Sequence, residues 1–260
     1  MHNSRLVLCL IIVLFSMLWA PLGQYNFLIE NWMKLGTYAV PFILISFVAG
    51  KTQSISTVFK DKNLVSVLLL VTYMIHQFEE HWIDVLGDRY AFYGYLNDLL
   101  RSALGISTPE TIIATPAAIF VINTSLVWLI GLIAIWRSPF HLFPVLAMNG
   151  IVLVNAVSHI LSGVVKLSYN PGLLTAIALF LPLAIAVYRE VLTKYPAMKF
   201  QAIASVVWAI LSHIILIAGL LAANWFHWIP ETVYFAALVI WSVIPAFLFT
   251  QPLHTPQQES

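Results

Sequence analysis

Long apolar runs separated by short polar links dominate this chain. Eight segments, near 6–22, 36–50, 63–81, 111–135, 140–165, 172–188, 200–222 and 232–250, approach the roughly 20 apolar residues that a helix needs to cross a bilayer. The second is short and has an earlier start available around Phe27 or Trp32. None alternates as a strand would, and no internal repeat is evident. Tight links such as Arg137-Ser138-Pro139 and Asn170-Pro171-Gly172 suit turns between antiparallel helices. The pattern predicts an all-α, polytopic integral membrane bundle of about eight helices, with seven as the alternative count, forming one domain over residues 1–260. Arg5 before the run Leu6–Leu18 resembles a signal peptide, but Trp19-Ala20-Pro21-Leu22 is a poor cleavage site, so a retained helix is expected.

Composition strengthens this reading. Of 260 residues, 61% are hydrophobic and 9% charged, against roughly 25% charged in a soluble domain. The mean hydropathy is +0.91. A soluble core, a disordered chain, a coiled coil and a disulfide-stapled module are all excluded. The balance of 12 Lys+Arg against 11 Asp+Glu offers no nucleic-acid footprint. The lone Cys9 makes neither an intramolecular disulfide nor a thiolate cluster.

Charge also orients the bundle. With the N-terminus in the cytoplasm, Arg5, Lys51, Lys60, Lys62, Arg137, Arg189, Lys194 and Lys199 fall inside. Only Lys34, Arg89, Arg101 and Lys166 fall outside, so both termini are expected to be cytoplasmic. The expected location is a bacterial inner membrane.

The one long link, 82–110, lies on the outer side. It carries Asp84, Asp88, Asp98 and Glu110 with Trp82, Tyr90, Phe92, Tyr93 and Tyr95, an aromatic density suited to the headgroup layer. Tyr90–Leu104 reads as a short interfacial helix, and Thr108-Pro109-Glu110 as the opening of the next span.

Ionisable groups within a bilayer are costly, so each requires a reason. The third segment closes with His76-Gln77-Phe78-Glu79-Glu80-His81, followed by Asp84. At 100° per residue His76, Glu79 and Glu80 share a face, whereas His81 lies about 140° from His76 and is expected to stay apart. Asn155 and His159 share a face of the fifth segment. With 1.5 Å of rise per residue, His76 and His159 lie about 7 and 9 Å below the same outer boundary, with His213 a little deeper. Two imidazoles and a carboxylate at one depth suit zinc or iron, with His76, Glu80 and His159 as ligands. Glu79 is then the general base, and Asn155 orients a ligand or binds an oxyanion; without a metal, one of the paired catalytic carboxylates Glu79 and Glu80 stays protonated and serves as the acid. His213, Asp84 and Tyr169 are assigned to substrate binding. Asn123 and Asn149 read as interhelical hydrogen bonders, and His141, His227 and His254 as surface residues.

His76-x-x-Glu79-Glu80, followed by Asn155-x-x-x-His159 and Tyr169-x-Pro171-Gly172 with Thr175-Ala176, resembles the family of membrane proteins named for the His-x-x-Glu-Glu motif. The likeness covers roughly residues 70 to 185. It implies a polar intramembrane site built from His76, Glu79, Glu80 and His159, and names no reaction. Prenyl-protein endopeptidases carry arginine where Asp84 stands here, and His-x-x-Glu-His metalloproteases need their second histidine one residue before His81.

The expected function is an intramembrane enzyme, metal-dependent, that hydrolyses or rearranges (cyclisation included) a lipid or isoprenoid in the outer half of the bilayer. A proton- or cation-coupled transporter and a non-enzymatic assembly subunit are the alternatives.

Overall fold

Turn chemistry decides where the apolar runs become helices. The computed structural model describes residues 26–48 and 62–250, so the expected segment at 6–22, with Arg5 and Cys9, lies outside the described residues, as do Lys51, Lys60 and His254. Among the described residues there are eight helical elements. They are α1 (Asn26–Val48), α2 (Lys62–His81), α3 (Ala91–Leu104), α4 (Pro116–Arg137), α5 (Phe143–Lys166), α6 (Leu173–Lys194), α7 (Pro196–Trp225) and α8 (Glu231–Ala246). By length and composition α4, α5, α6 and α7 can each cross a membrane, while α8 is apolar but shorter. The all-helical membrane architecture read from the hydrophobic pattern is therefore present, with four helices of spanning length and apolarity among the described residues.

The interfacial helix expected at 90–104 is α3. It is bounded by left-handed residues, Tyr90 (φ 59°) before it and Gly105 (φ 67°) after it. The next helix does not open at Thr108-Pro109-Glu110 as the sequence suggested. Asn97 of α3 takes the Ile113 and Ala114 N–H groups on its Oδ1, both at 2.9 Å, and donates to the Ala114 carbonyl at 3.0 Å. This holds the chain out of helix until the next Thr-Pro pair. There Thr115 accepts from Ala118 N at 3.0 Å, with Pro116 in the first turn.

Helices α5 and α7 approach closely because Gly150 has no side chain. A Cβ there would stand 2.6 Å from the Ser205 carbonyl oxygen. Asn149 beside it donates to the Ala184 carbonyl of α6 at 3.1 Å, the interhelical role expected of it. Asn123 of α4 likewise accepts from Gln77 of α2, whose Oε1 in turn accepts from the Trp128 indole. The core between α2, α5 and α6 contains Leu69, Tyr73, Val152, Ala156 and Phe180. Helix α6 widens into a π-helical turn at Ala176–Phe180, just before Pro182. Proline has no N–H and its ring clashes with a regular preceding turn, so the wider turn accommodates it.

His141 departs from its expected surface position. It is buried in the link between α4 and α5, where its Nε2 accepts from Arg137 Nε at 3.2 Å and its ring meets the backbone of Ala246. The C-terminal end of α8 therefore packs beside this link.

Candidate functional site

Helix α2 presents Tyr73, His76, Glu79 and Glu80 toward α5 and toward the link 167–172 that leads into α6. That link turns sharply. Leu167 (φ 50°) and Gly172 (φ 92°) are both left-handed. At Gly172 the constraint is steric as well, because a Cβ would lie 2.7 Å from His76 Cε1 and 3.0 Å from His159 Cε1. Only a glycine lets this backbone close over two imidazoles.

Glu79 is spent on holding that link. Its Oε1 accepts from the Tyr169 hydroxyl at 2.9 Å and Leu174 N at 3.1 Å. Its Oε2 accepts from Thr175 N at 2.7 Å and Thr175 Oγ1 at 2.5 Å. A carboxylate at the start of α6 meets exposed backbone N–H groups and the positive end of the helix dipole. With four donors on two oxygens, Glu79 is a helix cap, not the free base that the sequence assigned. Tyr169 is a partner of this cap, and burial followed by the Glu79 contact raises its hydroxyl pKa. Asp84 lies outside the cluster, because its Oδ1 folds the following link by accepting from Leu86 N and Asp88 N, both at 2.9 Å.

Glu80 sits at the centre. His159 Nε2 is 3.2 Å from its Oε1, and His76 Nε2 is 3.5 Å from its Oε2. His81 Nε2 lies 2.9 Å from the same Oε2. His76 is 0% exposed, Glu80 5% and His159 7%, so all three are withdrawn from bulk solvent. The contact of His81 with Glu80 was not expected. Helical angles compare only the directions in which side chains leave the backbone, whereas the long Glu80 side chain reaches sideways to both neighbours. The His81 ring is wedged between Trp32, at 4.9 Å between centroids, and Phe92, at 4.7 Å.

The partners of the two ligating imidazoles fix their tautomers. Thr175 Oγ1 gives its single hydrogen to Glu79, so at 2.7 Å it accepts from His76 Nδ1. Asn170 Nδ2 donates to the His159 carbonyl at 3.0 Å, which turns its Oδ1 to accept from His159 Nδ1 at 2.7 Å. When neutral, both rings therefore aim a bare Nε2 lone pair at a carboxylate. Acceptors that converge in this way are satisfied by a metal ion or by a shared proton. The donor atoms of His76, Glu80 and His159 all lie within 4.8 Å of one another, close enough for a single ion. In a tetrahedral zinc site, ligand atoms about 2.05 Å from the metal stand about 3.3 Å apart. The 3.2 and 3.5 Å separations lie near that value and reach the two different oxygens of Glu80, within a set that spans up to 4.8 Å.

Glu80 and His159 also line a cavity of about 300 Å³. Phe92, Tyr95, Leu96 and Leu99, spaced as one face of α3, cover it, and Tyr95 is hydrogen bonded to Ser162 of α5. Ile119, Ile122 and Leu126 of α4 form another wall. Asn155 lines the same space and donates to the Tyr73 hydroxyl. His213 reaches the cavity from α7 while its Nδ1 is held on the Ala209 carbonyl at 2.8 Å. A second cavity, of about 350 Å³, lies beyond His81 and is lined by Glu30, Asn31, Trp32 and Lys34 of α1.

The sequence pointed to His76, Glu80, Asn155 and His159, and the structure brings all four to one place. It adds His81, Asn170 and Tyr73, and gives positions in the site to Gly172 and Thr175, which the sequence carried only within the family resemblance. Residues 67–187 match the family described as "Protein of unknown function with HXXEE motif", to which this region of the chain is similar. No curated protein and no solved structure matches the chain.

Proposed function

We propose that the chain is a metal-dependent intramembrane enzyme acting on a lipid at a His76/Glu80/His159 centre. One observation carries the reading: two buried imidazoles, each with its tautomer fixed by a partner, aim bare nitrogens at one buried carboxylate beside an apolar cavity. Zinc or iron suits this donor set. Bound there, the ion supplies Lewis acidity to a substrate oxygen or to a bound water, with three protein ligands leaving a coordination position open. Thr175 and Asn170 hold the ligand rings, and Asn155 belongs to the substrate side of the cavity. Hydrolysis and acid/base rearrangement, including cyclisation of an isoprenoid, are the reactions that such a centre supports. In this reading the chain crosses a bacterial inner membrane eight times with both termini cytoplasmic, as the distribution of its basic residues supports.

A test is incubation of the purified protein, loaded with zinc or with iron, in liposomes of total bacterial lipid, with mass spectrometry of the lipid pool. A product that disappears with a chelator and in Glu80→Gln supports the reading, and an unchanged pool contradicts it. A second reading is cation-coupled transport, favoured by the position of the Glu80–His81 pair between two cavities. It expects cation flux into sealed liposomes in place of a lipid product.

A further inference from the structure

Tyr73 and Asn155 have no part in holding the three ligand residues, yet they repeat the architecture of the site one turn away. On α2, Tyr73 stands three residues before His76, and on α5, Asn155 stands four before His159. The Asn155 amide donates to the Tyr73 hydroxyl, joining the two helices as Glu80 and His159 do. The Tyr73 ring is fixed by packing, 4.7 Å from Phe180 and 5.7 Å from His76 between centroids.

This pairing determines what the hydroxyl can do. Its oxygen accepts from Asn155, and among the described residues no acceptor takes its own hydrogen. Tyr73 is 3% exposed and lines the same cavity as Glu80 and His159. A buried donor without a partner is costly, and a ligand that brings an acceptor relieves the cost. The remaining walls are mostly apolar, from Leu96, Ile122, Leu126 and Ile151. No lysine or arginine lines the space, so no side chain there pairs with a phosphate. A hydrocarbon isoprenoid would fill the walls but leave the hydroxyl unsatisfied.

We propose that Tyr73, backed by Asn155, is the oxygen-recognising half of the site and that the ligand is an acyl lipid, an ester or amide whose carbonyl oxygen accepts from Tyr73. This inference rests on the metal reading above and narrows its substrate class. Tyr73 contributes a hydrogen bond, which strengthens as negative charge grows on that oxygen.

Lauroyl hydroxamic acid is a suitable probe, since it offers a carbonyl oxygen, a metal-chelating group and an apolar chain. Dodecanethiol is the control, because it ligates zinc through sulfur and presents no oxygen. Binding of both to the zinc-loaded protein in detergent is read by calorimetry, with zinc content measured on each sample. In Tyr73→Phe the hydroxamate is expected to bind about tenfold more weakly, with the thiol and the zinc unchanged. Asn155→Ala should shift it the same way, and it carries the test if Tyr73→Phe fails to fold. Equal hydroxamate affinity in the variants, or a parallel loss of thiol and hydroxamate, overturns the inference while leaving the metal centre standing. A zinc-loaded wild type that binds the thiol but not the hydroxamate overturns it as well. A wild type that takes up neither zinc nor iron overturns the metal reading itself.

Discussion

Glu79 accepts four hydrogen bonds at the start of α6, so neutralising it should act on stability before it acts on metal. Glu79→Gln replaces an acceptor oxygen with an amide donor that faces other donors. The expected cost is about 1–3 kcal/mol, the usual range for buried groups left unsatisfied. Thermal unfolding in detergent checks it, with zinc content close to wild type. Thr175→Val should behave differently, since it removes the acceptor that orients His76. Loss of such an outer partner typically weakens metal affinity about 10- to 100-fold, which a competitive chelator titration would resolve. If the two variants lost zinc equally, the separation of cap from ligand set drawn here would be wrong.

At the scale of elements, α3 and its link to α4 depend on Asn97, which is 2% exposed and bonds both ways with the backbone. Asn97→Ala leaves the Ile113 and Ala114 N–H groups buried without an acceptor, at about 2–4 kcal/mol. Hydrogen exchange should quicken over 91–104 and at 113–114, while α5 keeps its protection. The link between α4 and α5 has a pH dependence of its own. Burial, and then the neighbouring Arg137, lowers the His141 pKa below its usual 6.5. The unfolded chain therefore binds this proton more readily than the folded one. Stability from this residue is complete above about pH 6.5 and falls as pH drops through that value toward the lower folded pKa. Melting temperature should rise between pH 5 and 7, and His141→Gln should flatten part of the rise. A variant with an unaltered slope would show that other groups set it.

Over the whole molecule, the elements were more legible than their contacts. The boundaries of α2, α3 and α5 follow directly from the apolar runs and from the 82–110 link, because burial in lipid or in a bundle imposes an apolar pattern on the chain. The start of α4 was misread, since Thr108-Pro109 and Thr115-Pro116 are equivalent locally and only Asn97 selects between them. His76, Glu80 and His159 were found because helical spacing and depth are properties of the sequence. The division of labour between Glu79 and Glu80 was not, as it depends on Thr175, 96 residues away from Glu79. His141 was misplaced for the same reason, its burial being set by a helix that arrives about a hundred residues later.

The central claim is that the converging lone pairs of His76, Glu80 and His159 hold a metal ion. Elemental analysis of the detergent-purified protein for zinc and iron, beside a Glu80→Gln/His159→Ala variant of matched fold, tests it most directly. The account predicts about one metal ion per chain in the wild type and none in the variant. Metal-free wild-type protein that stays metal-free after incubation with either ion, or equal metal in both proteins, would contradict it.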